Sequence, residues 1–312
     1  MLFGHVRFMV RFKMIEHASE TLAPVSIVLN IWNGDNHVSL RRSLNSISQQ
    51  KLRPDEVIAV IDGAISGELE AVISQFAKQD DFRVQFIRIS TTKGLWNGRN
   101  QGIAASRNEF IALHDADDVM HPERLSVQIR KMLANHVDVL GSPVFEFDSV
   151  SGEIIGLRKF DTDKEILKKM LWQNVINNSS VMLRKSAVDS VGGLHNVYLA
   201  EDYDLYLRLL RAGKNISVTN EVLQAFSVDG KTSKRRGGVK FISSELSLHQ
   251  TVKSLNNFGF IRLYLRLFLR LVFRLSPNFV RDCHRKFFQL KISNHQIRNL
   301  EDFLGGPPKL TI

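Results

Sequence analysis

The sequence predicts an α/β domain built on a mostly parallel sheet flanked by helices, followed by a basic, amphipathic helical tail. Three observations carry that reading. Short runs rich in β-branched apolar residues, VSIVLN (25–30) and EVIAVID (56–62), alternate with stretches of helical periodicity, the rhythm of a parallel sheet buried on both faces. At 312 residues and 44% hydrophobic content, the chain can bury one large core or one domain with a smaller attachment. Charge is partitioned: from Lys231 onward there are 16 Lys+Arg against 4 Asp+Glu, whereas the first 230 residues hold 26 against 28. The excess positive charge therefore sits in the last quarter and calls for an anionic neighbour.

Element by element, the first strand ends at Asn30. A polar turn from Trp32 to Asn36 and a helix to about Gln50 follow. The second strand ends at Asp62-Gly63, and a helix over 67–78 leads to a third strand, Val84 to Ile89. Asn97 to Ser106 reads as helix and Phe110 to Leu113 as strand. A helix is expected over 122–135, then VDVLGSPVFEF (137–147) as one strand, a turn at Ser151-Gly152, and a return strand through Phe160. The pattern continues with a helix over 163–172, a strand from Ser179 to Leu183, and a helix from Tyr203 to Ala212 stopped by Gly213. Residues 1–24 read as an N-terminal extension, 25–230 as the principal domain, and 231–312, opened by TSKRRGG, as the tail.

Several classes are excluded. A single cysteine, Cys283, can form neither an internal disulfide nor a cysteine-rich zinc cage, which rules out an oxidised secreted scaffold. No apolar run approaches the roughly 20 residues that span a bilayer. The opening MLFGHVRFMVRFKMIEH lacks the apolar core and cleavage site of a signal peptide. The expected location is cytoplasmic.

In open parallel sheets, ligands gather beyond the carboxyl ends of the strands, where Asn30, Asp62 and the HDADD segment fall. Asp115, Asp117 and Asp118 clustered at a strand end repel one another unless a cation sits among them. A hard ion, Mn²⁺ or Mg²⁺, removes that penalty. The competing reading of a D-x-D is a surface turn or helix cap. Glu201-Asp202 precedes the apolar helix YDLYLRLL, where acids also favour the positive end of the helix dipole. Read together, the two acidic sites can place a base on one side of a bound sugar and a metal-held diphosphate on the other.

The ordered set VSIVLN, EVIAVIDG, KGLWNGRNQGIAASRNEFIALHDADD, NNSSVMLRKSAVDSVGG and LAEDYDLYLRLLRAGK resembles family 2 glycosyltransferases of bacterial surface-polysaccharide type, which have the GT-A (Rossmann-like) fold. The resemblance covers about Pro24 to Val228. It implies transfer of a sugar from a nucleotide-sugar, usually UDP-linked, to an acceptor hydroxyl with inversion. Asn30, at the end of the first strand, is taken as donor-binding from its position; the resemblance adds Asp62 at the base or ribose and Arg99 near the diphosphate. The D-x-D falls on Asp115 and Asp117, both donor-binding and both metal residues, with Asp117 the direct ligand and Asp115 nearer the ribose; Asp202 becomes the general base and Glu201 its catalytic neighbour. The QxxRW pattern of processive synthases is absent, which favours addition of one sugar per acceptor. A nucleotidyltransferase would need a Gly-rich basic phosphate loop near the first strand, and none is evident. The standing alternative is a non-catalytic protein of the same fold that binds nucleotide-sugar or an anionic surface.

In the tail, Arg262, Arg266, Arg270 and Arg274 recur every four residues among Leu, Phe, Ile, Val and Tyr. On a helix they sweep an arc of about 120° and leave a broad apolar face. That face can pack on the principal domain, or lie at a membrane with Arg262, Arg266 and Arg270 reaching anionic phosphates. Arg235 and Arg236, before Gly237-Gly238, read as a clamp for diphosphate or lipid phosphate, or as a solvated loop. An acceptor saccharide on a lipid diphosphate, as in O-antigen or capsule synthesis, accounts for both features and implies a peripheral position on the inner face of the membrane. Nucleic acid is not an expected partner, because the aromatic residues share the apolar face.

Overall fold

The run 25–31 becomes the centre of the sheet because it is apolar on both faces. In the computed structural model, which describes residues 23–90, 93–158, 168–229, 240–255, 259–277, 279–280, 283 and 297–306, strand β1 (Ala23–Trp32) sends its side chains alternately into two cores. Val28 joins Ile58, Val60, Ile111 and Leu113 on one side; Val25, Ile27, Leu29 and Ile31 join Val57, Ala59 and Ile61 on the other. This period-two division is what a doubly covered strand requires.

Around β1 lie β2 (Pro54–Asp62), β3 (Arg83–Ile89), β4 (Phe110–Asp115), β6 (Val139–Gly141), β9 (Met182–Arg184) and β10 (Ile216–Val218), in the order β10-β6-β9-β4-β1-β2-β3. All neighbours are parallel except β9, which runs antiparallel to β4 and β6. Helices α1 (His37–Ser48), α2 (Gly67–Phe76), α3 (Leu95–Ala105), α4 (Arg124–Ala134), α5 (Lys185–Ser190) and α6 (Glu201–Arg211) supply the connections. Asn36 starts α1 by accepting at Oδ1 from the backbone N–H groups of Val38 (2.9 Å) and Ser39 (3.1 Å), which satisfies donors that the helix itself leaves open. A second sheet, in the order β5-β11-β7-β8, is made of β5 (Val119–Met120), β7 (Val144–Asp148), β8 (Ile154–Arg158) and β11 (Gln224–Val228).

Three local expectations change. VDVLGSPVFEF is two strands, β6 and β7, which enter different sheets on either side of Ser142-Pro143; proline carries no N–H for a ladder. Asn178–Ser180 is a 3-10 turn, and the strand following it is β9. Of the helix expected over 163–172, only 168–170 are helical among the described residues, and 163–167 lie outside them.

In the tail, residues 240–253 and one face of 260–275 pack on the principal domain. Helix α7 (Lys240–Lys253) lies against α6 and α8 (Phe260–Leu275). The expectation that Arg266 and Arg270 contact external phosphate is corrected. Arg266 is fully buried and donates from Nε to the Leu171 carbonyl (2.7 Å) and from a terminal nitrogen to the Tyr203 hydroxyl (3.2 Å). Arg270 makes two bonds to the buried Glu245 carboxylate (3.0 and 2.7 Å), and Arg274 adds a third at 2.8 Å. A carboxylate buried on α7 needs paired cations, so the arginines turn inward. Arg262 remains exposed, and Arg235 and Arg236 lie outside the described residues. Further on, Phe303 of α9 (Leu300–Gly305) packs edge-on against Phe145 and His121, anchoring residues 297–306 to the second sheet.

Burial raises the Glu245 pKa, but Arg270 and Arg274 outweigh it and hold it below its ordinary value. Its contribution is therefore present above the unfolded carboxylate pKa and is lost as pH falls through the lower folded value. Glu245→Ala leaves two arginines without their counter-charge, and denaturant unfolding at neutral pH is expected to show a loss of about 3 kcal/mol. The difference from wild type narrows as pH falls through the Glu245 folded pKa.

Candidate active site

Strand register brings the first candidate residues together. Asn30 pairs with Val60 of β2 and with Asp115 of β4, and Trp32 pairs with Asp62, so Asn30, Asp62 and Asp115 share the carboxyl edge of three adjacent strands. The Asn30 amide donates to the Leu95 carbonyl at 3.3 Å, while its Oδ1 is buried with no hydrogen-bond partner. Helix α3 approaches this close only because residue 98 is glycine: a Cβ there falls 2.1 Å from Asn30 Nδ2.

The next residue, Arg99, is the hub of the site. Its guanidinium, 5% exposed, donates to Glu201 Oε1 and to Asp115 Oδ1, both at 3.0 Å. With the Asn178 amide oriented to satisfy both of its ends, its oxygen accepts from Arg99 at 2.8 Å and its nitrogen donates to the Tyr206 hydroxyl at 2.7 Å. The resemblance sets Arg99 against diphosphate oxygens; instead its fork is committed to protein acids, because a guanidinium so buried requires counter-charges. Glu201 is pushed up by burial, an effect that Arg99 opposes and Asp202 reinforces. Glu201 therefore positions its neighbours and is not a solvent-facing acid.

Asp202 follows at the first turn of α6, where the helix dipole favours a carboxylate. It accepts from the Asn174 side-chain amide at Oδ2 (2.8 Å) and from the Tyr203 backbone N–H at Oδ1 (2.7 Å). Just before it, Leu199 has φ 48°, a left-handed conformation that costs a branched residue energy and is retained only where the surroundings impose it.

The three acids of the HDADD segment have separate places. Asp117 is exposed, Asp115 is half-buried on Arg99, and Asp118 is fully buried. Asp118 accepts from the Ser179 hydroxyl and from the Ser227 backbone N–H (2.8 Å), tying the acidic turn to the Asn178 turn and to β11. Burial, followed by repulsion from Asp117 and Asp115, holds its carboxyl well above the usual range. Beneath the turn, buried His114 is kept neutral by desolvation and by Arg124. Gln224 Nε2 lies 3.2 Å from His114 Nδ1, and His114 Nε2 lies 2.9 Å from Ser43 Oγ. Ser43 in turn donates to the Asp115 carbonyl at 3.0 Å. Since an amide nitrogen only donates, the imidazole proton belongs on Nε2. Arg124, pushed down to about 9 by burial, donates to Gln224 and to the Leu113 and Val181 carbonyls.

Two further groups at this edge carried no signal in the pattern of motifs. Asp35 accepts from the Trp32 N–H at 2.9 Å and is raised to about 7, first by burial and then by Asp117 and Asp115. Arg42 stacks 4.7 Å over the Phe147 ring, with Nε and one terminal nitrogen buried and lacking hydrogen-bond partners among the described residues, and it feels the charges of Asp117 and Asp118. Asn174 and Asn178 are also seen only in three dimensions, because both lie in turns without periodicity. The Gly192-Gly193 pair is a tight turn, with φ of 80° and 75°, locked by the Asn100 amide on Leu194.

A model described as glycosyl transferase family 2 matches residues 26–192. The chain belongs to glycosyl transferase family 2. Among its relatives, the amylovoran biosynthesis glycosyltransferase AmsE of Erwinia amylovora is 30% identical over 81% of this chain and 94% of its own. An Escherichia coli UDP-Gal:alpha-D-GlcNAc-diphosphoundecaprenol beta-1,3-galactosyltransferase is 28% identical over 84% and 95%. Staphylococcus aureus TarS 1–349, in complex with UDP-GlcNAc, superposes with a TM-score of 0.61 at 17% identity, covering 80% of this chain and 72% of that one. The Pyrobaculum calidifontis mannosyltransferase PcManGT, in complex with GDP-Man and Mn²⁺, gives 0.56 at 14% identity over 91% and 81%. The family 2 chain is thus a glycosyltransferase with the GT-A fold.

A divalent ion suits the donor set of this family 2 site. Hard carboxylate oxygens stand at the open end of β4, and burial first, then the like charges of Asp117 and Asp115, raise Asp35 and Asp118 around them. Among the described residues, no three His, Cys, Asp or Glu side chains converge into a ready cage. An ion here would be held by one or two carboxylates, Asp117 and Asp115, with a bound ligand and water completing the shell, as Mg²⁺ and Mn²⁺ commonly require.

Asp35→Asn keeps an acceptor for Trp32 N–H and removes the titration. Because the folded pKa is raised, ionisation costs the folded state increasingly as pH climbs from about 4 to about 7. In metal-free thermal melts, the gain of the variant over wild type should widen across that window and level off above it. Arg99→Lys, a point charge that cannot span both acids, is expected to lower the melting temperature and reduce turnover by at least about 100-fold.

Proposed function

We propose that this enzyme moves a sugar from a UDP-sugar to a hydroxyl of a saccharide carried on a lipid diphosphate, with inversion at the anomeric carbon, in assembly of a bacterial O-antigen or capsule. The observation that carries the reading is the bridge from Asp115 through Arg99 to Glu201, which fixes the acidic turn of β4 and the start of α6 across one site. The relatives above, named for polysaccharide assembly and for a diphosphoundecaprenol acceptor, support the acceptor class. The UDP-GlcNAc complex of a protein with the same fold supports the donor class.

Asp202 is the general base: one carboxylate oxygen accepts the acceptor hydroxyl proton as that oxygen attacks the anomeric carbon from the face opposite the departing UDP. The Asn174 amide and the Tyr203 N–H orient the Asp202 carboxylate by one hydrogen bond to each of its oxygens. Glu201 does not exchange protons with substrate; it holds Arg99, which holds Asp115 in place. Asn30 and Asp62, at the ends of β1 and β2, bind the nucleoside. Asp117 and Asp115 hold Mn²⁺ or Mg²⁺, which when bound neutralises charge on the diphosphate. Arg42 adds a fixed positive charge beside Asp117 and stabilises the same leaving group without reorganisation. The enzyme works at the membrane surface, where such an acceptor resides.

A screen of UDP-sugars with a water-soluble diphosphate acceptor, with and without Mn²⁺, tests class, donor and metal together. Asp202→Asn is expected to retain UDP-sugar binding within about threefold and to lose at least about 1,000-fold in turnover, of the order expected for a positioned base and its charge. Retained turnover removes Asp202 as the base. Asp117→Ala is expected to abolish the Mn²⁺ dependence of UDP binding in calorimetry.

A further inference from the structure

Helix α8 presents its two faces the other way round from a helix that meets phosphate with its arginines. At about 100° per residue, Leu263, Arg266, Arg270 and Arg274 share one arc, and that arc is turned into the protein on Glu245, the Leu171 carbonyl and Tyr203. The opposite half of the cylinder carries Phe260, Ile261, Leu265, Phe268, Leu269 and Val272, with Phe260 74%, Ile261 81% and Phe268 62% exposed. An uninterrupted apolar stripe of this kind is not an ordinary protein surface.

We infer that this stripe inserts into the interfacial region of an anionic bilayer, with α8 lying in the membrane plane. Three observations select lipid over a second copy of the chain. At 16 residues the helix is about 24 Å long, and a face about 10 Å wide offers roughly 240 Å², well short of the ~800 Å² per partner of a stable dimer. That same strip is sufficient for insertion to the headgroup–acyl boundary, which needs a one-sided helix and no enclosing partner. Charge complements the lipid: exposed Arg262 stands at the edge of the stripe and exposed Lys240 and Lys253 lie on the adjoining helix α7, in a tail whose sequence holds 16 Lys+Arg against 4 Asp+Glu from Lys231 onward, a balance suited to anionic headgroups. No described helix is long and apolar enough to cross a membrane, so α8 lies on the bilayer and does not span it. Because Arg266, Arg270 and Arg274 are engaged internally, apolar burial holds the protein on the surface and charge serves the approach.

The insertion also bears on catalysis, in a way that rests on the lipid-linked acceptor reading. Arg266 bonds the hydroxyl of Tyr203, the residue after Asp202, so the inserted helix is joined directly to the element that carries the base. A lipid-tethered acceptor is thereby met at a fixed height above the bilayer.

The test is flotation of the full chain with acceptor-free vesicles of phosphatidylcholine containing phosphatidylglycerol, at low salt and at about 0.5 M NaCl, where charges are screened beyond roughly 4 Å. Wild type is expected to float at both. Leu265→Glu/Phe268→Glu/Val272→Glu is expected to lose at least about 10-fold in vesicle partition, with an unchanged thermal melt and unchanged turnover of a water-soluble acceptor. Should that variant melt early, Phe268→Asn alone is expected to lower partition about threefold with the wild-type melt. Flotation of a folded variant equal to wild type overturns the inference, as does release of wild type by salt. Failure of wild type to float, or a wild-type dimer in sedimentation velocity that the variant turns into monomer, also overturns it. The vesicles carry no acceptor, so these failures leave the transfer reading intact. Absence of transfer from every UDP-sugar in the donor screen strikes that reading alone.

Discussion

A single buried guanidinium sets the geometry of this enzyme. Arg99 has almost no access to water, and desolvation alone would make its charge untenable. Asp115 and Glu201 make it tenable, each at 3.0 Å, and the arrangement works in both directions. The cation draws the end of β4 and the start of α6 to a fixed separation although they are far apart in the chain. The glycine before it lets α3 press onto Asn30, so the end of β1 and the Glu201-Asp202 start of α6 are referenced to the same helix. Lysine cannot reproduce the two-armed span.

Around that hub, the acids of the D-A-D-D segment divide the work according to burial. Asp118, the most enclosed, is a structural acceptor joining the two sheets. Asp115 is held by Arg99, and Asp117 faces outward toward whatever ligand arrives. Arg42 partly relieves the crowding that made the cluster costly, while Asp35, raised to about 7 by burial and then by Asp117 and Asp115, adds no full charge to it at neutral pH. In the proposed reaction, a cation joining the site would meet charges already placed, with little rearrangement as the diphosphate leaves.

Much of this was legible in the order of residues. The buried strands β1, β2 and β4 stand out because apolar runs of that length end in polar residues, and Asn30, Asp62 and Asp115 do share one sheet edge. The acidic turn and the Glu201-Asp202 pair were visible as chemistry. The partner of Arg99 was not, since ion pairs across 102 residues leave no local trace; nor was the split at Ser142-Pro143, because an apolar run does not reveal which sheet it joins. Asn174, Asn178 and Arg42 act from turns or from a helix whose periodicity says nothing of them. In the tail, spacing identified the helix and its two faces, but only the buried Glu245 decides which one turns inward.

Tyr203 gives this arrangement a mechanical consequence. Its hydroxyl donates to the Met170 carbonyl at 2.6 Å while accepting from Arg266, and the 170–174 segment carries the amide that grips Asp202. Three stretches of chain that meet at one phenol cannot tilt independently. A rocking of the outer helix is transmitted as a rotation of the Asp202 carboxylate, so the stiffness of this joint sets how faithfully that carboxylate is presented from one turnover to the next.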